Sequence, residues 1–191
     1  AHVMSEENKR SIRISVRNLV EFVLRSGDID NRRSGNAQKD AMLAGGRIHR
    51  KIQKRMGSGY RAEVPLKHEV QDEEQEITLL VEGRADGIFT ENGIPVIDEI
   101  KGMYTDISRL EEPIEVHLAQ AMCYGYFYCC DKDLDGIRLQ MTYCNLETEE
   151  IKRFQTDRSR EELETWFSGV VHEYFKWARY LYHHELTRDA S

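Results

Sequence analysis

Pro95-Val96-Ile97-Asp98-Glu99-Ile100-Lys101 is a strongly apolar run that ends in two acids and a lysine. Its β-branched start reads as a strand, and alternate side chains of a strand share a face. Glu99 and Lys101 therefore point one way and Asp98 the other. Just upstream, Asn92-Gly93 is the strongest hairpin signal in the chain. That turn brings Asp86, in Gly83-Arg84-Ala85-Asp86-Gly87, alongside the run. Two carboxylates and an ammonium then converge at one edge of a sheet. Burying such a cluster unpaired is costly, so it calls for a divalent cation or for solvent. Carboxylate oxygens with a few waters are what Mg²⁺ prefers.

Outward from this run the chain alternates short β-rich segments with helical spacing. Strands are expected near 61–70, 76–83, 84–90 and 94–101, with turns at Gln71–Gln75 and at Glu91-Asn92-Gly93, and two more near 136–145 and 149–155. Ahead of them, Ser15 can cap a short amphipathic helix carrying Leu19, Val20, Phe22, Val23 and Leu24, with Gly27 at its stop. Residues 26–38 read as loop. A second helix is expected over about Lys39–Met56, with Met42, His49, Ile52 and Met56 on one stripe and Arg47, Arg50, Lys51, Lys54 and Arg55 on its other faces. Pro113 suits the first position of a helix running to about Cys130. The last helix opens with the Ser159–Glu162 capping box and is expected to bury Leu163, Trp166, Val170, Tyr174, Trp177 and Leu181. The pattern helix, helix, four strands, helix, two strands, helix argues an α/β fold with a central sheet flanked by helices.

At 191 residues the chain fits one domain, and with 32% charged residues and only 3 prolines and 13 glycines it has a globular composition that excludes disorder and collagen-like repeats. Ala1-His2-Val3 reads as a vector remnant ahead of a start at Met4, with 4–191 as the single domain. No membrane partner is expected, because no apolar stretch approaches the length of a bilayer span and no export signal opens the chain, which makes the cytoplasm the default address. The cysteines Cys123, Cys129, Cys130 and Cys144 lack zinc-type spacing and read as small buried hydrophobes. The net charge of −7 hides an asymmetry: residues 1–62 hold 14 Lys+Arg against 6 Asp+Glu, whereas 63–191 hold 13 against 28. One face can therefore engage a polyanion although the whole chain is acidic.

Asp86 followed thirteen residues later by Glu99-Ile100-Lys101 resembles the core of the PD-(D/E)XK nucleases, in the RecB-type and CRISPR-associated spacer-acquisition branch. The flanks extend the likeness over residues 15–128. They comprise His49 in Gly45-Gly46-Arg47-Ile48-His49, the Glu63-Val64-Pro65-Leu66 strand start, Gly83-Arg84-x-Asp86, and Gln120 with Tyr124 as the QxxxY motif. More narrowly, Ser15–Asp30 and Gln140–Leu146 are similar to the N-terminal nuclease domain of bacterial XPD/DinG-type helicases. Two departures stand out. Arg84-Ala85 replaces the proline of the motif's name, and Arg25-Ser26-Gly27 and the absence of cysteine beyond Cys144 leave no ligand set for the 4Fe-4S cluster that some relatives hold.

The resemblance implies a restriction-endonuclease-like core and a metal-dependent DNA nuclease acting on single-stranded or unwound DNA in repair or recombination, with a helicase domain in the same full-length chain. Asp86 and Glu99 would hold Mg²⁺ or Mn²⁺ with the Ile100 carbonyl and His49, and no iron–sulfur cluster is expected. Lys101 would orient the attacking water, while Gln120 and Tyr124 would bond the substrate backbone or Lys101. Arg47, Arg50, Lys51 and Lys54 would contact DNA phosphates. The alternative is a non-catalytic DNA-binding or docking module that keeps the fold. Residue by residue, the plainer readings are a surface pair for Glu99 and Lys101, a strand end for Asp86, a hydrogen-bonded core histidine for His49, helix packing for Gln120 and Tyr124, a structural Glu63, and a solvated helix end for His183-His184.

Overall fold

The longest strand organises the sheet, because different partners occupy different stretches of it. The structure, a computed structural model, describes residues 10–25 and 35–189. In chain order these residues form β1 (Arg10–Ser15), α1 (Val16–Arg25), α2 (Gly35–Arg55), β2 (Arg61–Gln71), β3 (Ile77–Glu91), β4 (Ile94–Met103), α3 (Glu115–Lys132), β5 (Gly136–Asn145), β6 (Ile151–Ser159) and α4 (Arg160–Asp189). The described strands make one mixed sheet in the order β1-β3-β4-β5-β6, with β2 also on β3. β2 pairs antiparallel with β3 from Gln71↔Thr78 to Arg61↔Ile88 and so takes most of one edge of it. The other edge is shared: β1 runs parallel beside Ile77–Glu82, and β4 runs antiparallel beside Gly87–Glu91. Residues 83–86 are left with no strand on that edge. β4 then pairs in parallel with β5 from Val96↔Arg138 to Met103↔Asn145, a register that requires the α3 crossover between them.

The core lies on one face of this sheet. Ile77, Leu79, Val81, Ile97, Leu139 and Met141 are buried there against α1, α3 and α4. In α1, Val16, Leu19 and Val20 are fully buried at helical spacing, and Ser15 accepts the Asn18 amide at 3.0 Å as N-cap. The expected glycine stop at Gly27 lies outside the described residues, as does most of the expected 26–38 loop. α2 packs on the opposite face through Ile48 and Ile52, against Ile100 and Cys144. In α4, Ser159 and Glu162 exchange the bonds of a capping box, Glu162 N to Ser159 Oγ at 3.0 Å and Ser159 N to Glu162 Oε1 at 3.1 Å.

Four expectations need correction. β1 was not anticipated; its Arg10-Ser11-Ile12-Arg13-Ile14-Ser15 stretch becomes a strand through pairing with residues more than sixty positions away. The two strands expected near 76–83 and 84–90 are one continuous strand, in which Gly83 and Gly87 are sites of close approach. A Cβ at Gly87 would lie 1.8 Å from Tyr60 Cζ, and one at Gly83 would lie 2.4 Å from the Tyr124 hydroxyl. Pro113 precedes α3 rather than opening it, since Ile114 is the N-cap. Trp177 is 40% exposed, while Phe167, Val171, Phe175 and Ala178 join Leu163, Val170 and Tyr174 in the core. The buried residues of α4 keep spacings of three and four, but on a stripe set to one side of the expected one.

The four cysteines are free thiols, three buried and Cys130 half-buried. Among the described residues no helix is long and apolar enough to cross a membrane.

Candidate active site

The gap in the sheet at residues 83–86 leaves backbone amides that a ladder would otherwise satisfy, and side chains take them instead. Arg84 and Asp86 present their amides to the same edge. The Tyr124 hydroxyl lies against Gly83 in this gap, and the Asp86 amide donates to Glu99 Oε2 at 2.9 Å. In return the Ile100 amide donates to Asp86 Oδ2 at 2.7 Å. Each acid thus replaces a missing rung by accepting an amide of the other strand. The last regular rung before the strands part is Gly87↔Asp98, and the two carboxylates sit one step beyond it.

This exchange brings the acids together at an electrostatic cost. Glu99 is 3% exposed, and burial, reinforced by the charge of Asp86, holds its carboxyl well above the ordinary carboxylate range despite Lys101 nearby. On the same face of β4, Lys101 Nζ donates to Gln120 Oε1 at 2.7 Å, so the ammonium is steered by a neutral amide. From the opposite side α2 delivers two residues one turn apart. His49 Nδ1 stands 3.6 Å from Asp86 Oδ1, and Gln53 Nε2 donates to the Asp86 carbonyl at 2.8 Å and to Glu63 Oε1 at 3.0 Å. Glu63 lies opposite Asp86 in β2, where the regular pairing skips it, and its φ of 54° places it in the left-handed region.

Asp98, on the other face of β4, is a contrasting site. It is fully buried and receives Tyr60 Oη at 2.7 Å, Thr142 Oγ1 at 2.6 Å and Gln140 Nε2 at 3.2 Å. Burial raises its carboxyl above the usual range, and those hydrogen bonds oppose the rise. Burial, with Asp98 adjoining, also pushes the Tyr60 phenol up, and burial does the same to Tyr124. Neither phenol gives up its proton at neutral pH.

The structure therefore brings together Asp86, Glu99, Ile100, Lys101, His49, Gln120 and Tyr124. Gln120 reaches Lys101, as one expected option had it, whereas Tyr124 lies against β3 at Gly83. His49 is 26% exposed and its Nδ1 faces Asp86 Oδ1. Arg47, Arg50 and Lys54 are exposed on the outer side of α2, but Lys51 is drawn to Glu149 in the β5–β6 turn at 2.6 Å. His183 and His184 lie where the structure describes only the helical backbone. Gln53, one helical turn after His49, and Tyr60 carry no local signal for their roles, and Gln140 and Thr142 show only as two polar residues at alternate positions of β5.

Among the described residues no three His, Cys, Asp or Glu side chains already stand as a cation cage. The donor chemistry nonetheless suits a hard divalent cation: two carboxylates spend one oxygen each on an amide, and an imidazole adjoins Asp86.

No family model and no curated protein matches this chain. Solved structures do. The chain is similar to SSO0001 at a TM-score of 0.55 and 18% identity, over 90% of this chain and 78% of that one. It is also similar to an alkaline exonuclease, LHK-Exo from Laribacter hongkongensis, at a TM-score of 0.47 and 14% identity over 92% of this chain and 94% of that one. The same exonuclease in complex with dAMP gives 0.46 and 13%, over 91% and 93% of the two chains. At these identities the likeness is one of fold.

Proposed function

We propose that this protein is a divalent-metal-dependent nuclease of the PD-(D/E)XK superfamily that hydrolyses phosphodiester bonds in DNA. The observation that carries the reading is the reciprocal exchange of Asp86 and Glu99 across the sheet gap, with Lys101 on the face of Glu99. The fold alone would keep no such pair, since a buried glutamate repelled by an adjacent aspartate destabilises the metal-free protein.

Asp86, Glu99, the Ile100 carbonyl and His49 would hold Mg²⁺ or Mn²⁺. When bound, the ion neutralises charge on the scissile phosphate and acidifies a water. Lys101, oriented by Gln120, donates a hydrogen bond to the phosphate or to the attacking water and keeps that water in line. Gln53 and Tyr124 fix the backbone of β3, so that Asp86 is aimed before substrate arrives. Arg47, Arg50 and Lys54 on α2 supply phosphate contacts beside His49. Lys51 joins them at the expense of its pairing with Glu149.

Within this reading the substrate is single-stranded or unwound DNA, and the domain works in repair or recombination beside a helicase in the same full-length chain. The support is the resemblance of Ser15–Asp30 and Gln140–Leu146 to the N-terminal domain of XPD/DinG-type helicases. The test is cleavage of labelled single-stranded, duplex and flapped DNA with Mn²⁺ or Mg²⁺. The proposal expects cleavage that chelation and Glu99→Gln both abolish. DNA binding without cleavage under either ion would leave a docking module in place of an enzyme.

A further inference from the structure

Beside the carboxylate pair, on the sheet face that α2 shares, lies a groove of about 550 Å³ lined by Pro65, Leu66, Lys67, Glu82, Gly83 and Arg84. In β3, Val81 and Ala85 are buried in the core, so Glu82, Arg84 and Asp86 alternate onto the opposite face and form one row. β2 lays a second row beside it, with Pro65 opposite Arg84 and Lys67 opposite Glu82. The charges of these rows are unequally committed. Glu82 is taken by Arg13, Nε to Oε1 at 3.2 Å. The exposed Arg84 and Lys67 side chains have no ion pair among the described residues. Two cations thus face the groove while its one acid is neutralised.

Their spacing is regular. Arg84 is two strand residues from Asp86, about 6.7 Å along the strand. Lys67 lies diagonally across the pair from Arg84, about 7 to 8 Å further. An extended polynucleotide advances by a comparable step from one phosphate to the next. The floor between the cations is Pro65 and the paired Leu66 and Gly83 backbones, a strip one strand pair wide that a single extended chain can follow. Besides the two cations and Glu82, which is paired with Arg13, the groove offers no polar side chain to base edges, so phosphate contacts without sequence preference dominate.

We propose that this groove, resting on the nuclease reading above, is a subsite for single-stranded DNA flanking the scissile phosphate, with Arg84 and Lys67 each holding one phosphate and Pro65 supporting the sugar between them. The strand then runs along β3 away from the metal site, on the sheet face that α2 also covers.

The experiment measures equilibrium binding of an oligothymidylate to the whole protein in Ca²⁺ across a salt series, with cleavage of the same strand in Mn²⁺ in parallel. The R84A/K67A double variant removes only exposed side chains. It should bind about tenfold or more weakly, and the slope of log K against log salt should shrink by about 1.4, or 0.7 for each lost single-strand phosphate contact. Lys132→Ala, which removes an exposed charge at the far end of α3, should leave the slope unchanged. An unchanged slope in the double variant, or no binding by the native protein, overturns the subsite. A reduced slope in a protein that cleaves nothing would sustain the groove and discard the nuclease reading, whereas cleavage with an unchanged slope would discard the groove alone.

Discussion

Asp98 and Glu99 are neighbours on one strand, and both are nearly sealed from water, but the protein surrounds them in opposite ways. Asp98 looks toward Tyr60, Thr142 and Gln140 and takes a hydrogen bond from each. Glu99 looks toward the sheet gap, takes one backbone amide, and faces a second carboxylate. A saturated buried acid stabilises the architecture around it, because its donors would otherwise be orphaned. An under-satisfied acid beside a like charge destabilises the metal-free fold, so its retention points to chemistry. The two acids also act in sequence. The side chains on Asp98 close the last rung of the β3–β4 ladder, and the gap that opens immediately beyond it is where Asp86 and Glu99 meet.

The largest effect expected from this contrast is on stability at Asp98. Asp98→Ala leaves Tyr60, Thr142 and Gln140 without an acceptor, and it should cost about 3 kcal/mol or more in urea unfolding without metal ions. A cost near that of a surface substitution would mean that this cluster does not hold the strands at the rung.

Glu99→Gln should do the reverse, raising metal-free stability by roughly 1 kcal/mol while abolishing cleavage. The same variant should change the pH dependence. The carboxyl of Glu99 is held well above its unfolded value, so the native protein keeps a proton that the unfolded chain has released over the interval between the two. Metal-free stability therefore falls as pH rises through that interval and levels off above it. Glu99→Gln should flatten the fall, and the remainder belongs to Asp98, shifted the same way by burial. Urea titrations at a series of pH values with chelator present read this directly, and a wild-type slope in the variant would refute the assignment of the strain.

The smallest effect on stability is expected at His49. Only partly buried and 3.6 Å from Asp86, it lies outside the two core clusters, so His49→Ala should cost under about 1 kcal/mol, while Mn²⁺ affinity falls about tenfold. A destabilised variant with unaltered Mn²⁺ affinity would move His49 from the Glu99 side of the comparison to the Asp98 side.

Much of this contrast was written in the strand itself. Period-two alternation in Ile97-Asp98-Glu99-Ile100-Lys101 separates the two acids onto opposite faces before any tertiary contact is known, and Asn92-Gly93 delivers Asp86 with φ of 51° and 81° at the turn. The hidden part depends on contacts distant in sequence. Tyr60 reaches Asp98 across Gly87, a contact that no local pattern encodes. β1 exists through its parallel pairing with β3, and that pairing also decides where the sheet gap begins. A glycine within a strand is compatible with breakage and with close approach alike, and only Tyr124 and Tyr60 lying over Gly83 and Gly87 decide for the second.

The central claim is that the Asp86–Glu99 gap is a divalent-cation site and that the Asp98 cluster is not. Calorimetric titration of Mn²⁺ into the wild-type protein, Glu99→Gln and Asp98→Asn, with cleavage of single-stranded DNA followed on the same samples, tests it most directly. The wild type should bind Mn²⁺ and cut. Glu99→Gln should stay folded and lose both, and the folded fraction of Asp98→Asn should keep Mn²⁺ binding. Full Mn²⁺ affinity and undiminished cleavage in folded Glu99→Gln would contradict the account.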